Sequence, residues 1–126
     1  MSKKILIVED DTFLKNLAST KMTKEGYQVL LAGTAEEMTT ILETETPDII
    51  LLDLLLPGTD GFGILKKIRE NIKLLDTPVI IFSNLSEEKD IAQARALGAN
   101  HFMIKSNFTL DELVAKIKEI IQETPY

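Results

Sequence analysis

Four apolar segments of this sequence end in side chains that could share one reaction. Glu9, Asp10 and Asp11 follow Ile5–Val8, Asp53 follows Ile49–Leu52, Ser83 and Asn84 follow Val79–Phe82, and Lys105 follows Phe102–Ile104. Carboxylates brought together repel, by about 1 kcal/mol per pair at ~4 Å even in water, so such a cluster stays ionised only with a cation in it. The chain has no Cys and one His, which leaves oxygen donors and selects a hard ion such as Mg²⁺. With an ammonium from Lys105 and a hydroxyl from Ser83, the set suits phosphoryl transfer, a reaction governed by positioning and charge stabilisation. Ionised Asp53 is the expected nucleophile. The metal, Lys105 and Ser83 are expected to share the phosphoryl oxygens.

The elements that must position these groups can be read from two alternating periodicities. The four apolar runs are continuous rather than alternating, as strands covered on both faces require. A weaker fifth run, Tyr27–Ala32, ends at Gly33 and offers nothing ionisable. Between the runs the spacing predicts helices over 12–25, 35–45, 61–71, 87–97 and 109–122, the last with Leu110, Leu113, Val114, Ile117 and Ile121 on one face. Thr34…Glu37 and Thr109…Glu112 read as capping boxes. Asp11 and Asp60 read as N-caps. Gly26 and Gly98 stand where a helix end takes a left-handed residue, and Pro47 and Pro78 stand just before strands. Five strands alternating with five helices imply an α/β fold, a parallel sheet with helices on both faces. Ligands of such sheets bind beyond the carboxyl ends of the strands, which is where four of the five strands carry polar groups.

Composition bounds the remainder. The chain has 126 residues, 44% of them hydrophobic and 27% charged, an amount suited to a single domain over 1–126 with a real core. Net charge is −6 and the basic residues are scattered, so the patch expected of a direct nucleic-acid binder is missing. No apolar run approaches the ~20 residues of a membrane helix. The four apolar residues after Lys3 and Lys4 are too few for a signal peptide. The expectation is a cytoplasmic protein without membrane contact, ending in a short tail at 123–126.

Four pieces in order, ILIVEDD, LLDLLLPGTDG, VIIFSN and LGANHFMIK, make the chain resemble the receiver domain of two-component response regulators along essentially its whole length. The resemblance implies a flavodoxin-like, doubly wound sheet in the order 2-1-3-4-5; with no linker or second domain visible in the 126 residues, no attached output domain is expected. It implies that Asp53 is the phosphoacceptor, that Asp10 binds Mg²⁺ (or Mn²⁺ as a substitute) directly and Glu9 through water, and that the Leu55 carbonyl is a further ligand. Ser83 and Lys105 match the family's hydroxyl and lysine positions at the phosphate, with Asn84 beside them, and Phe102 matches its aromatic switch. The implied donor is the phosphohistidine of a sensor histidine kinase or a histidine phosphotransfer protein. The implied output is a changed surface on the fourth helix, fifth strand and fifth helix, read by a partner protein or by a phosphorylation-linked homodimer.

Three positions depart from the family pattern. Ser106 replaces a proline whose peptide bond is usually cis, Asn84 replaces a small residue, and Phe102 lacks a tyrosine hydroxyl. Other functions fit less well. An aspartyl-phosphate phosphatase would carry its nucleophile after the first strand as D-x-D, where this chain reads Glu9–Asp10–Asp11. A flavin protein would need a phosphate-cradling loop there. An interaction domain with a degenerate site would not need the acidic pair, Asp53, Ser83 and Lys105 together. His101 is read as a rim residue, and Lys66 and Lys67 as a solvated helix face.

Overall fold

The computed structural model describes residues 2–122; Met1 and the tail expected at 123–126 lie outside the described residues. In chain order the main elements are β1 (Lys4–Val8), α1 (Thr12–Lys24), β2 (Gln28–Ala32), α2 (Ala35–Thr44), β3 (Ile49–Leu52), α3 (Gly61–Glu70), β4 (Val79–Ser83), α4 (Glu88–Ala96), β5 (His101–Ile104) and α5 (Leu110–Gln122). The strands form one sheet in the order β2-β1-β3-β4-β5, with every neighbouring pair parallel. This is the expected fold and strand order.

The continuous apolar runs are explained by two cores, one on each face. Ile5, Ile7, Ile49, Leu51, Ile80 and Phe82 pack against Ala18 and Met22 of α1 and Leu113, Ile117 and Ile120 of α5. Their sequence neighbours Leu6, Val8, Ile50, Leu52, Val79 and Ile81 pack against Met38 of α2, Ile64, Leu65 and Ile68 of α3, and Ala94 of α4. Each fully buried side chain of this size contributes about 1.5–3 kcal/mol of transfer free energy. A polar residue within β1, β3 or β4 would therefore cost on whichever face it fell.

The capping residues act as their types suggest, with one difference. Asp11 and Asp60 accept from the amides of Leu14 and Phe62, both at 3.0 Å. Thr109 and Glu112 form the full reciprocal box. In the first box Thr34 accepts from the Glu37 amide at 3.1 Å, but the Glu37 carboxylate reaches the Gly33 amide, at 2.6 Å. It therefore ties the end of the β2–α2 turn rather than the cap itself.

Four features escaped the periodicity. A two-residue antiparallel ribbon pairs Leu55–Leu56 with Thr59–Asp60, and short 3-10 turns occupy Ile72–Leu74 and Lys105–Asn107. On α5 the buried residue of the last turn is Ile120, whereas Ile121 is half-buried. Both fit the helical spacing, and packing on the sheet selects between them. The Lys105–Ser106 bond is trans, as are all described peptide bonds.

Candidate functional site

Parallel register is what gathers the site. Val8 pairs with Leu52, so Glu9 and Asp53 leave the sheet side by side. The Asp53 amide donates to the Val8 carbonyl at 3.0 Å, and the Glu9 amide to the Ala32 carbonyl at 2.9 Å. On the other side Ser83 pairs with Ile104, so Lys105 emerges next to the Ser83 strand end. Glu9 and Asp53 are 5% and 4% exposed, unusual for carboxylates unless they are paired.

The pairing is with Lys105. Its Nζ lies 2.6 Å from Asp53 Oδ2 and 2.6 Å from Glu9 Oε1. The remaining oxygens are held by backbone: Asp53 Oδ1 accepts from the Leu55 amide at 2.9 Å and Glu9 Oε2 from the Asp11 amide at 3.1 Å. Asp10 is exposed, yet one oxygen from each of Glu9, Asp10 and Asp53 falls within 4.8 Å of the others. Two of the three carboxylates thus bond the ammonium, and the third, Asp10, stands beside them open to solvent.

Burial is the largest influence on Glu9 and pushes its carboxyl above the ordinary 4.5. The Lys105 hydrogen bond, the Asp11 amide and the Lys105 charge pull it back, and the charge of Asp53 adds to the rise. For Lys105, burial is again the largest single influence and works against the charged form. The hydrogen bonds and charges of Asp53 and Glu9 together outweigh it and hold the ammonium above 10.5. The excess of carboxylate, the all-oxygen donor set and the one ligand open to solvent fit a hydrated divalent cation.

The other expected residues divide. Ser83 is fully buried at the end of β4, and its Oγ accepts from the Leu85 amide at 3.4 Å. Asn84 is exposed just beyond it. Leu55 touches Asp53 through its amide, while its side chain is 50% exposed. Phe102 is half-buried against the core beneath α4. It borders a surface groove with Arg95, His101, Phe108 and Glu112. His101 begins β5 and takes no part in the carboxylate cluster. Sequence reasoning did not find that Lys105 engages Glu9 as well as Asp53, because strand-end spacing says nothing of a four-carbon side chain's reach.

Residues 5–118 match the family model described as the response regulator receiver domain. The chain is 40% identical over 120 residues to the transcriptional regulatory protein KdpE of Staphylococcus aureus, covering 95% of this chain and 50% of that protein. Among solved structures, the non-phosphorylated HemR receiver domain from Leptospira biflexa superposes with a TM-score of 0.89 at 27% identity, covering 99% of this chain and 98% of that one. The phosphorylated cyanobacterial phytochrome response regulator RcpA superposes with a TM-score of 0.86 at 28% identity, covering 100% of this chain and 98% of that one. The chain spans about half the length of the curated relatives it matches.

Proposed function

Because this chain belongs to the receiver-domain family of response regulators, we propose that it is a signalling switch in which Asp53 accepts a phosphoryl group from the phosphohistidine of a sensor kinase or histidine phosphotransfer protein. The single observation that supports this most is the setting of Asp53. It is a buried strand-end carboxylate with one oxygen on the Leu55 amide and the other on Lys105, inside a cluster of three acids.

The chemistry follows from these contacts. An Asp53 oxygen bonds to phosphorus as the N–P bond of the donor breaks, and the donor imidazole leaves with a proton. Mg²⁺, with Mn²⁺ as a substitute, is the proposed ion; Asp10, Asp53 and the Leu55 carbonyl would hold it, Glu9 through water, and it would offset the phosphoryl charge. Lys105 exchanges a carboxylate for a phosphoryl oxygen, keeping its charge within the site. Ser83 Oγ, which accepts from Leu85, donates its proton to another phosphoryl oxygen. Asn84 borders the phosphate and tunes its loss. As Ser83 is drawn inward, Phe102 takes up the space released, and the face made by α4, β5 and α5 shifts between two pre-existing states. A partner protein or a second copy of the chain reads that face, in the cytoplasm where such a donor would act. The chain promotes its own phosphorylation and slow dephosphorylation without turning over a free substrate.

A small phosphodonor tests the reading directly. With Mg²⁺ the intact mass should rise by one phosphoryl group; chelation or Asp53→Asn should prevent it. Equal labelling of Asp53→Asn, or no labelling where a control receiver is labelled, would sink the proposal.

A further inference from the structure

The two ends of α4 are held very differently. Toward the site it follows Ser83 through Asn84–Glu87, and its N-cap Glu87 makes no side-chain capping bond. Asn84, Ser86, Glu87, Glu88 and Lys89 are exposed, and the first buried residue of the helix is Ala94. The far end is closed by backbone bonds from the Gly98 amide to the Arg95 carbonyl and from the Ala99 amide to the Ala94 carbonyl, both 3.0 Å.

That far end is also gripped from α3. Arg69 donates through Nε to the Gly98 carbonyl at 3.0 Å, through Nη1 to the Leu74 carbonyl at 2.7 Å, and through Nη2 to Asn100 Oδ1 at 2.8 Å. Asn100 Oδ1 accepts as well from the Val79 amide, at 2.8 Å. One half-buried guanidinium therefore joins α3, the 3-10 turn after it, the α4–β5 loop and the start of β4. Its bonds are charge-assisted, and its planar fork fixes direction as well as distance. Gly98 makes the approach possible: its φ is +107°, and a Cβ there would lie 2.6 Å from Arg69 Cγ.

We propose that Arg69 is the pivot of α4, a positioning residue that anchors the helix at Gly98 so that movement begun at Ser83 is confined to the site-proximal half. The trigger rests on the phosphoacceptor reading, but the anchor does not, and the two can be tested separately. Hydrogen exchange followed by mass spectrometry on the whole chain reads both. In the untreated protein, amides 97–100 should exchange more slowly than amides 85–90, and Arg69→Met should speed exchange at 97–100 by about tenfold or more. With Mg²⁺ and beryllofluoride, wild type should change protection at 84–91 by about threefold or more and leave 97–100 unaltered. In Arg69→Met the change should spread to 97–100 while phosphodonor labelling of Asp53 persists. A purely structural loss would speed exchange in the untreated protein without altering where the response stops, and that result overturns the pivot. Should Arg69→Met fail to fold, Asn100→Ala removes the bonds that Oδ1 accepts from Arg69 Nη2 and the Val79 amide and carries the same expectation. Unchanged exchange at 97–100 in the variant, or a wild-type response that already reaches 97–100, overturns the pivot. Fluorine NMR of the same wild-type sample reports whether beryllofluoride binds; absence of a bound-fluoride resonance counts against the phosphoacceptor reading, and the untreated comparison still decides the anchor.

Discussion

Lys105 bonds two buried carboxylates at once, so a cation entering the acidic cluster competes with it for Glu9 and Asp53. Removing the ammonium should have opposite effects on two measurements. Lys105→Met leaves buried charge unpaired and should cost about 3 kcal/mol of metal-free stability in urea unfolding. The same change should tighten Mg²⁺ binding by roughly tenfold in calorimetric titration, because a nearby positive charge is gone. Weaker Mg²⁺ binding in that variant would contradict the competition. The pH dependence follows from the raised proton affinities of Glu9 and Lys105. A raised value means the folded state holds the proton more tightly than the unfolded chain. The associated stability is complete below the unfolded value and fades as pH climbs through the folded one. For Lys105 that loss falls in alkali above 10.5. For Glu9 it begins at 4.5 and runs upward. Protons and metal compete for the same carboxyl, so Mg²⁺ affinity should weaken as pH falls through the raised Glu9 value, and Glu9→Gln should flatten that slope. An equally steep slope in Glu9→Gln would assign the proton elsewhere.

At the scale of elements, the site depends on how closely α3 approaches the loop after Asp53. A Cβ at Gly61 would lie 2.3 Å from the Leu54 carbonyl oxygen and 2.5 Å from its Cα, and backbone cannot yield as a side-chain tip can. Gly61→Ala should therefore destabilise by about 2–3 kcal/mol in urea unfolding and lower the rate of phosphodonor labelling, since Leu54 links Asp53 to Leu55. A wild-type unfolding midpoint in this variant would show that the loop has room to move. The same stretch marks where sequence reading reached its limit. Long helices and doubly covered strands declare themselves by spacing, but the ribbon at Leu55–Leu56 and Thr59–Asp60 has two residues per strand and no period to detect. The 3-10 turn at Lys105–Asn107 arises where the family's proline is replaced by Ser106, and no local residue announces its geometry. The Arg69 clamp joins residues as far as 31 positions apart, through an arginine that in sequence looks like any helix-end cation.

For the molecule as a whole, the strand order implied by the family resemblance holds, and chemistry and burial agree with it. Two-sided cores force continuous apolar runs in β1, β3 and β4, and the same parallel pairing that buries them carries Glu9, Asp53, Ser83 and Lys105 to one edge. Residue types at strand ends could therefore be assigned to a common site before any distance was known. Which side chain bonds which, and that Ser83 Oγ takes the Leu85 amide, depended on rotamers and loop paths that spacing does not encode. The proposed switch turns on where the phosphoryl group goes, and chemical trapping reads that position most directly. Protein treated with a small phosphodonor and Mg²⁺, then reduced with borohydride and digested, should yield homoserine in place of aspartate at position 53, with none when Mg²⁺ is withheld. Reduction product at Asp10 or Glu9, or a stable phosphate on His101 or Ser83 with position 53 unmodified, would contradict it.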